Sequence, residues 1–361
     1  MVMITKERAR KLLVAHLALN RPLHSVREVL TRLRCIQLDP LDVIGTNADL
    51  VVMARVDGVK RGDVWRKLFP RHAFEHFFKE RCILPSSSFA QYRAQGHRAQ
   101  TPWWRHAERE EKVPPRVVSA VLHEIRERGP ITARELTDHG SVAPIDWAGW
   151  KGTAKTTTMA LEILWTRCDI VVAGRTANGS KLYDIPERAF GPIGSASGDF
   201  DVWSLRERVL ASGLYAPGKK SVRHTGLVDV QIEGSSRRYL AAPEFLARRN
   251  IRFDDRVRIL APLDPLLWDR SLVSHVFGFD YVWEVYKPAP QRKWGWYVCP
   301  LLHRDRFIGR IDARVDGSRL VVRNLWREPE DPGLAPIVAA LERHADACGC
   351  TSVVMPKRMK S

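Results

Sequence analysis

The chain has 361 residues, with 58 Lys and Arg against 41 Asp and Glu and a formal charge of +17, so an acidic partner is expected. Apolar residues make up 45% and there are 12 Trp, enough for packed cores, which excludes a disordered basic tail or a histone-like arm. Apolar runs such as Leu50 to Ala54 fall far short of the ~20 residues that cross a bilayer, no apolar stretch follows the charged start, and six cysteines without a CxxC pair indicate neither a zinc site nor a disulfide scaffold. The expectation is a cytoplasmic, nucleoid-associated protein with reduced thiols.

Leu12, Leu13, His16 and Leu17 fall on one helical stripe, and Val26, Val29, Leu30 and Leu33 on a second, joined by a short turn with Pro22. Ser25 followed by Glu28 is the pattern in which two side chains reciprocally satisfy free N–H groups at a helix start. Two short helices in sequence predict a helix-turn-helix.

The stretch Cys35 to Ile44 comes next. Pro40 drives Asp39 out of helical geometry, so the chain is extended or turning here. Side chains at i and i+2 then share a face, which points Gln37 and Asp39 together while Ile36 and Leu38 pack inward. An amide and a carboxylate thus stand side by side after a helix pair of DNA-binding type. By spacing alone, the favoured reading is that Asp39 caps a turn and Gln37 bonds backbone, and spacing alone does not establish catalysis.

Val117, Val118, Val121, Leu122 and Ile125 predict a helix stopped by Gly129-Pro130; Thr132 with Glu135 opens a short helix, and a third spans Ala154 to Arg167. Ile170 to Val172 and Lys181 to Tyr183 then flank Asn178-Gly179, a dipeptide suited to a tight hairpin turn. Three helices and a hairpin predict a winged helix. Lys151, Lys155, Thr156 and Thr157 stand at the start of its recognition helix, where phosphate meets free N–H groups, and are candidate DNA contacts.

A third, similar unit is expected from Ser204, paired with Glu207, through a basic loop with Lys219, Lys220 and Arg223 to a hairpin around Gly234-Ser235-Ser236. Arg237, Arg238 and Tyr239 are candidates for a wing pressed into a minor groove. Gly213 to Lys220 nearly spells a phosphate loop, yet Lys220 occupies the position of the required hydroxyl. Strands are expected in Phe277 to Tyr286, Trp294 to Leu301, Phe307 to Val315 and Leu320 to Leu325, followed by a helix from Leu334 to about Cys348. The alternating aromatics Trp294, Trp296 and Tyr297 read as core in preference to a base-stacking platform.

Pro114-Pro115 and the Gly/Ser stretch 191–198 mark boundaries. The fold class expected is α+β: a winged-helix-like domain over 1–112, winged helices over 113–190 and 191–255, and an antiparallel, barrel-like β-rich domain over 256–361. Charge is concentrated in the first of these, with 21 basic and 12 acidic residues.

Several segments together resemble the winged-helix bacterial crosslink-repair DNA glycosylases of the YcaQ/AlkZ type. They are Gln37 to Ile44, Phe74-Glu75 to Leu84-Pro85, Tyr183 to Arg188, Leu263 to Arg270 through Phe277 to Tyr281, Glu284 to Pro288, Arg292, Gly295 to Pro300 and Gly309 to Asp312. The resemblance covers most of the chain. It implies tandem winged helices forming a concave basic surface, and a catalytic Gln-apolar-Gln/Asp motif that falls on Gln37-Leu38-Asp39, the Gln/Asp branch associated with broader N7-alkylguanine and crosslink removal. Where many members read roughly Ala-His-Glu-Ala, this chain has Phe78-Lys79-Glu80-Arg81, which makes Lys79 and Arg81 candidate phosphate contacts. The implied activity is monofunctional cleavage of N-alkylated purines from double-stranded DNA, by a monomer without metal or cofactor. Fold alone admits a second reading, a winged-helix transcription regulator without catalysis.

Overall fold

The computed structural model describes residues 1–95, 104–145, 152–218 and 226–356. They form two compact units, one of Met1–Val64 with Asp201–Ser361, the other of Trp65–Phe200. No helix among the described residues is long and apolar enough to cross a membrane.

In the first unit the helices Lys6–His16 and Val26–Leu33 occupy the expected stripes, and Leu12, Leu13, Val29, Leu30 and Leu33 are buried. Ser25 accepts from the Glu28 N–H and Glu28 accepts from the His24 N–H, the cap that the sequence announces. Val2–Ile4 runs parallel to Val228–Ile232, which pairs antiparallel with Arg238–Ala241.

The C-terminal part is a curled, antiparallel-rich sheet in the order Val257–Ile259, Val298–His303, Arg306–Asp316, Arg319–Arg327, Ser352–Val354, only the last pairing being parallel. Gly309 has φ 155°, and a Cβ there would stand 2.2 Å from the Trp326 carbonyl oxygen, so only glycine lets these two strands close up. The helix Leu334–Ala347 packs on this sheet through Ile337 and Leu341.

The second unit holds the hairpin Ala73–Phe77 with Arg81–Pro85, the helices Phe89–Gln95, Trp104–Lys112, Pro115–Arg128 and Thr156–Thr166, and the hairpin Val171–Arg175 with Lys181–Asp184. Its core gathers Val117, Val121 and Ile125 against Ile163, Leu164 and Trp165. The mixed α+β class is as expected.

Three expected elements differ. Thr132 opens no helix: Ile131–Thr132 is a short strand on Lys181–Asp184, and the Glu135 carboxylate takes the Thr132 N–H and hydroxyl to close a single turn. Ser204 lies inside the helix Phe200–Ser212, and Glu207 is drawn to the Arg34 guanidinium at 2.7 and 2.8 Å. Phe277 to Tyr286 is not a strand: Asp269 caps a helix Arg270–Phe277 by accepting from the Leu272 N–H, and Gly278 at φ 65° ends it in left-handed geometry. The next strand begins only at Val298.

Candidate active site

The helix Val26–Leu33 stops at Arg34, whose φ of 64° turns the chain into the short strand Ile36–Gln37. Alternation then fails after two residues. Ile36 packs inward as expected, but Gln37 is itself buried and Leu38 only half-buried. The Gln37 Oε1 is buried without a hydrogen-bond partner among the described residues, which leaves it able to take a partner from outside the chain. Asp39 is half-buried, and its Oδ1 accepts the Leu41 N–H at 2.9 Å, the Asx turn that the following proline favours. Burial lifts the Asp39 carboxyl above its ordinary value, and the Leu41 N–H partly opposes the rise.

The motif is tied down from several sides of its own unit. Asn47 is buried; its Nδ2 donates to the Gln37 carbonyl at 2.8 Å, and its Oδ1 accepts the Leu263 N–H at 3.1 Å. One amide thus joins the backbone of Gln37 to a segment distant in sequence. That segment is anchored next door, where Asp264 takes Arg55 at 2.7 and 3.0 Å with both side chains fully buried. Arg55 also donates to the Leu17 and Val51 carbonyls, at 2.7 and 2.8 Å, so its donors are engaged on several sides, as a buried pair requires.

The loop after the motif is pinned residue by residue. Asp42 is paired with Arg61, the Val43 carbonyl accepts from Val315 at 2.9 Å, and the Ile44 carbonyl lies 2.7 Å from His344 Nε2 and accepts from Cys348 Sγ at 3.2 Å. Thr46 and Asp49 form a full capping box for the helix Asn47–Met53. Tyr297 is buried, and its phenol is pushed well above the usual range by burial first, then by the nearby Cys299 and by Asp39, Tyr281 and Asp42. Of the three aromatics expected as core, Tyr297 is core and within electrostatic reach of the Asp39 carboxylate, Trp294 is half-buried, and Trp296 is exposed, against the expectation.

The candidate DNA contacts fall into several situations. Lys79 is exposed in the turn between Ala73–Phe77 and Arg81–Pro85. Arg81 meets Glu162 at 2.5 Å and stacks over the Trp165 ring at 4.6 Å, inside its own unit. Lys155 pairs with Asp138 at 3.2 Å, both well exposed, whereas the buried Thr156 donates its hydroxyl to the Gly140 carbonyl at 3.0 Å. Arg237 and Arg238 are exposed and pair with Asp269 and Asp229, at 3.0 and 2.8 Å. Tyr239, expected with them at the wing tip, is instead buried, together with Leu240 and Ala241 of the strand Arg238–Ala241. Lys151, Lys219, Lys220 and Arg223 lie outside the described residues.

Asn47, Arg55 and Asp264 do not stand out in the sequence. Their signal is present in part: Leu263-Asp264-Pro265 opens the longest block of the resemblance, but a block of sequence does not say which distant amide it will meet. The chain matches the family described as DNA glycosylase AlkZ-like over residues 30–348. Among solved structures it is similar to the Streptomyces sahachiroi DNA glycosylase AlkZ, at 16% identity and a TM-score of 0.62, covering 99% of this chain and 100% of that one. At that identity the structural likeness speaks for the fold, and the family match over most of the sequence speaks for the activity. The chain belongs to the AlkZ-like DNA glycosylases.

Proposed function

We propose that this glycosylase is monofunctional and hydrolyses the N-glycosidic bond of N-alkylated purines, N7-alkylguanine above all, in double-stranded DNA, including guanines tied into interstrand crosslinks. The observation that carries this reading is a half-buried carboxylate, Asp39, two residues after Gln37, whose side-chain oxygen is buried without a partner among the described residues. The next carboxylate along, Asp42, is held by Arg61. An N7-alkylated guanine is already cationic, so it leaves as a neutral base and needs no general acid. Asp39 then stabilises the positive charge that develops on the sugar and polarises the attacking water, as one carboxylate does in glycoside hydrolysis. Gln37 orients that water through its side-chain amide.

A base tied covalently to the opposite strand cannot rotate out of the helix alone, so the site would meet the lesion from a groove. In this reading the segments 1–112, 113–190 and 191–255 grip the duplex as winged-helix modules, the protein acts as a monomer, and Lys79, Arg81, Lys151, Lys155, Thr156, Arg237 and Arg238 are the candidate contacts. The family favours this over a regulator, which would prefer one undamaged sequence. The test is base release from duplexes carrying N7-methylguanine or a nitrogen-mustard crosslink. Asp39→Asn should lower the rate by at least about a hundredfold, with the wild-type rate unchanged in EDTA. Equal rates for the two proteins would overturn the assignment.

A further inference from the structure

Between the helix Arg270–Phe277 and the strand Val298–His303 the chain is irregular apart from the short 3-10 turn Ala289–Gln291. It is nonetheless built round firm anchors. The buried Glu284 carboxylate accepts from the N–H groups of Lys293, Trp294 and Gly295 at 3.1, 2.7 and 3.4 Å and from the Lys287 ammonium at 2.9 Å. Arg292 donates to the Lys287 carbonyl at 2.8 Å, and the Arg310 guanidinium lies between the Phe279 and Trp294 rings at 4.1 and 4.0 Å. These contacts anchor the backbone from which the outward side chains project.

Those left outside are unusual. Tyr286 is 86% exposed and Trp296 39% exposed, and among the described residues with exposed large apolar side chains these are the aromatic ones. Lys287, Arg292 and Lys293 stand in the same stretch, while its one carboxylate between Tyr281 and Tyr297, Glu284, is turned inward. Exposed flat rings among cations match a partner that is both anionic and made of flat rings. A lipid surface or an acidic protein supplies the charge without the stacking faces. Trp296 also immediately precedes Tyr297, whose buried phenol lies within electrostatic reach of Asp39.

We infer that residues 282–296 form a nucleobase-stacking platform for the DNA flanking the reacting sugar, in which Tyr286 and Trp296 carry the rings and the exposed Lys293 meets an adjacent phosphate. The inference rests on Asp39 being the reacting carboxylate, since that places the platform beside the lesion. Stacking on one aromatic side chain is sequence-tolerant, and its removal costs about tenfold in affinity.

The experiment is fluorescence anisotropy of a duplex carrying a tetrahydrofuran abasic analogue, at one fixed salt concentration, with wild type, Tyr286→Ala, Tyr286→Phe and Trp296→Ala. Tyr286→Ala and Trp296→Ala should each weaken binding about tenfold, Tyr286→Phe should bind within about twofold of wild type, and binding should quench indole emission in wild type more than in Trp296→Ala. Wild-type affinity in Tyr286→Ala, or equal losses in the Ala and Phe variants, overturns the platform. The readout needs no hydrolysis. Loss of binding in Tyr286→Ala without base release by wild type keeps the platform and removes the glycosylase reading of Asp39; release by wild type with unaltered Tyr286→Ala binding does the reverse.

Discussion

Asp39 is held in a state that costs the fold stability and that suits the chemistry proposed for it. Because burial raises its carboxyl above the ordinary 3.8, the folded protein binds that proton more tightly than the unfolded chain does. Ionisation at neutral pH therefore costs folding free energy, a cost fully present above the raised value and gone below the ordinary one. This one sign has two consequences. If the Asp39 carboxylate is the working form, as proposed, base release should fall on the acid side with a midpoint above 3.8, and single-turnover rates measured across pH about 4 to 8 check it. Asp39→Asn, which keeps an acceptor for the Leu41 N–H, should raise the melting temperature at neutral pH while abolishing activity, with the gain disappearing as the pH drops. A variant less stable than wild type at neutral pH would contradict the assigned strain. Asn47 behaves oppositely, because it satisfies the Gln37 carbonyl and the Leu263 N–H at once. Asn47→Ala leaves both buried groups without it and should cost about 1–3 kcal/mol in urea denaturation. Asn47→Asp keeps an acceptor for Leu263 but loses the donor to Gln37, so its base release should fall more than its stability.

At the scale of elements, the loop 282–296 depends on one carboxylate more than on any repeating backbone pattern. Burial would raise Glu284, but the Trp294 N–H, the Lys287 ammonium and the N–H groups of Lys293 and Gly295 outweigh it and hold the carboxyl down to about 2 from 4.5. Its contribution to stability is thus complete above pH 4.5 and lost as the pH falls toward 2. Glu284→Gln places an amide NH2 against donors and should destabilise the protein by about 1–3 kcal/mol at neutral pH. The gap from wild type should narrow through that acid window, as followed by tryptophan emission. The same dependence explains why this loop is hidden in the sequence. Val26, Val29, Leu30 and Leu33 announce a helix because their contacts and the Ser25–Glu28 cap lie within one turn of each other. The stretch Phe277 to Tyr286 alternates like a strand, yet Asp269 and Gly278 enclose Arg270–Phe277 as a helix, and Glu284 organises the loop through residues nine to eleven positions on. The candidate site divides in the same way. Gln37 and Asp39 are legible because Pro40 acts on its neighbour, whereas Asn47 is not, because its second partner lies 216 residues downstream.

For the molecule as a whole, the charge of +17 is a poor guide to where DNA is gripped, since it is a sum over the whole chain and does not say which of the 58 cations are held in ion pairs. Arg55 is fully buried against Asp264 and cannot reach a phosphate without leaving an uncompensated buried carboxylate. Arg238 differs: its pair with Asp229 is 65% and 36% exposed, and an exposed pair of this kind is worth about 0–1 kcal/mol. Exchange of that carboxylate for a DNA phosphate therefore costs little, and the same holds for Arg237 with Asp269 at 43% and 26%. Cations in open pairs are the ones available to displace counterions, and each phosphate they neutralise steepens the fall of affinity with salt. Arg238→Ala should accordingly reduce the slope of log affinity against log salt by about 1 and weaken damaged and undamaged duplexes alike, because a phosphate contact carries no lesion information. Asp229→Asn, which frees Arg238 from its partner, should strengthen binding at low salt. Anisotropy titrations at several salt concentrations decide the matter. An unchanged slope in Arg238→Ala would move this hairpin off the DNA, and a loss confined to damaged duplex would make it a reader of the lesion.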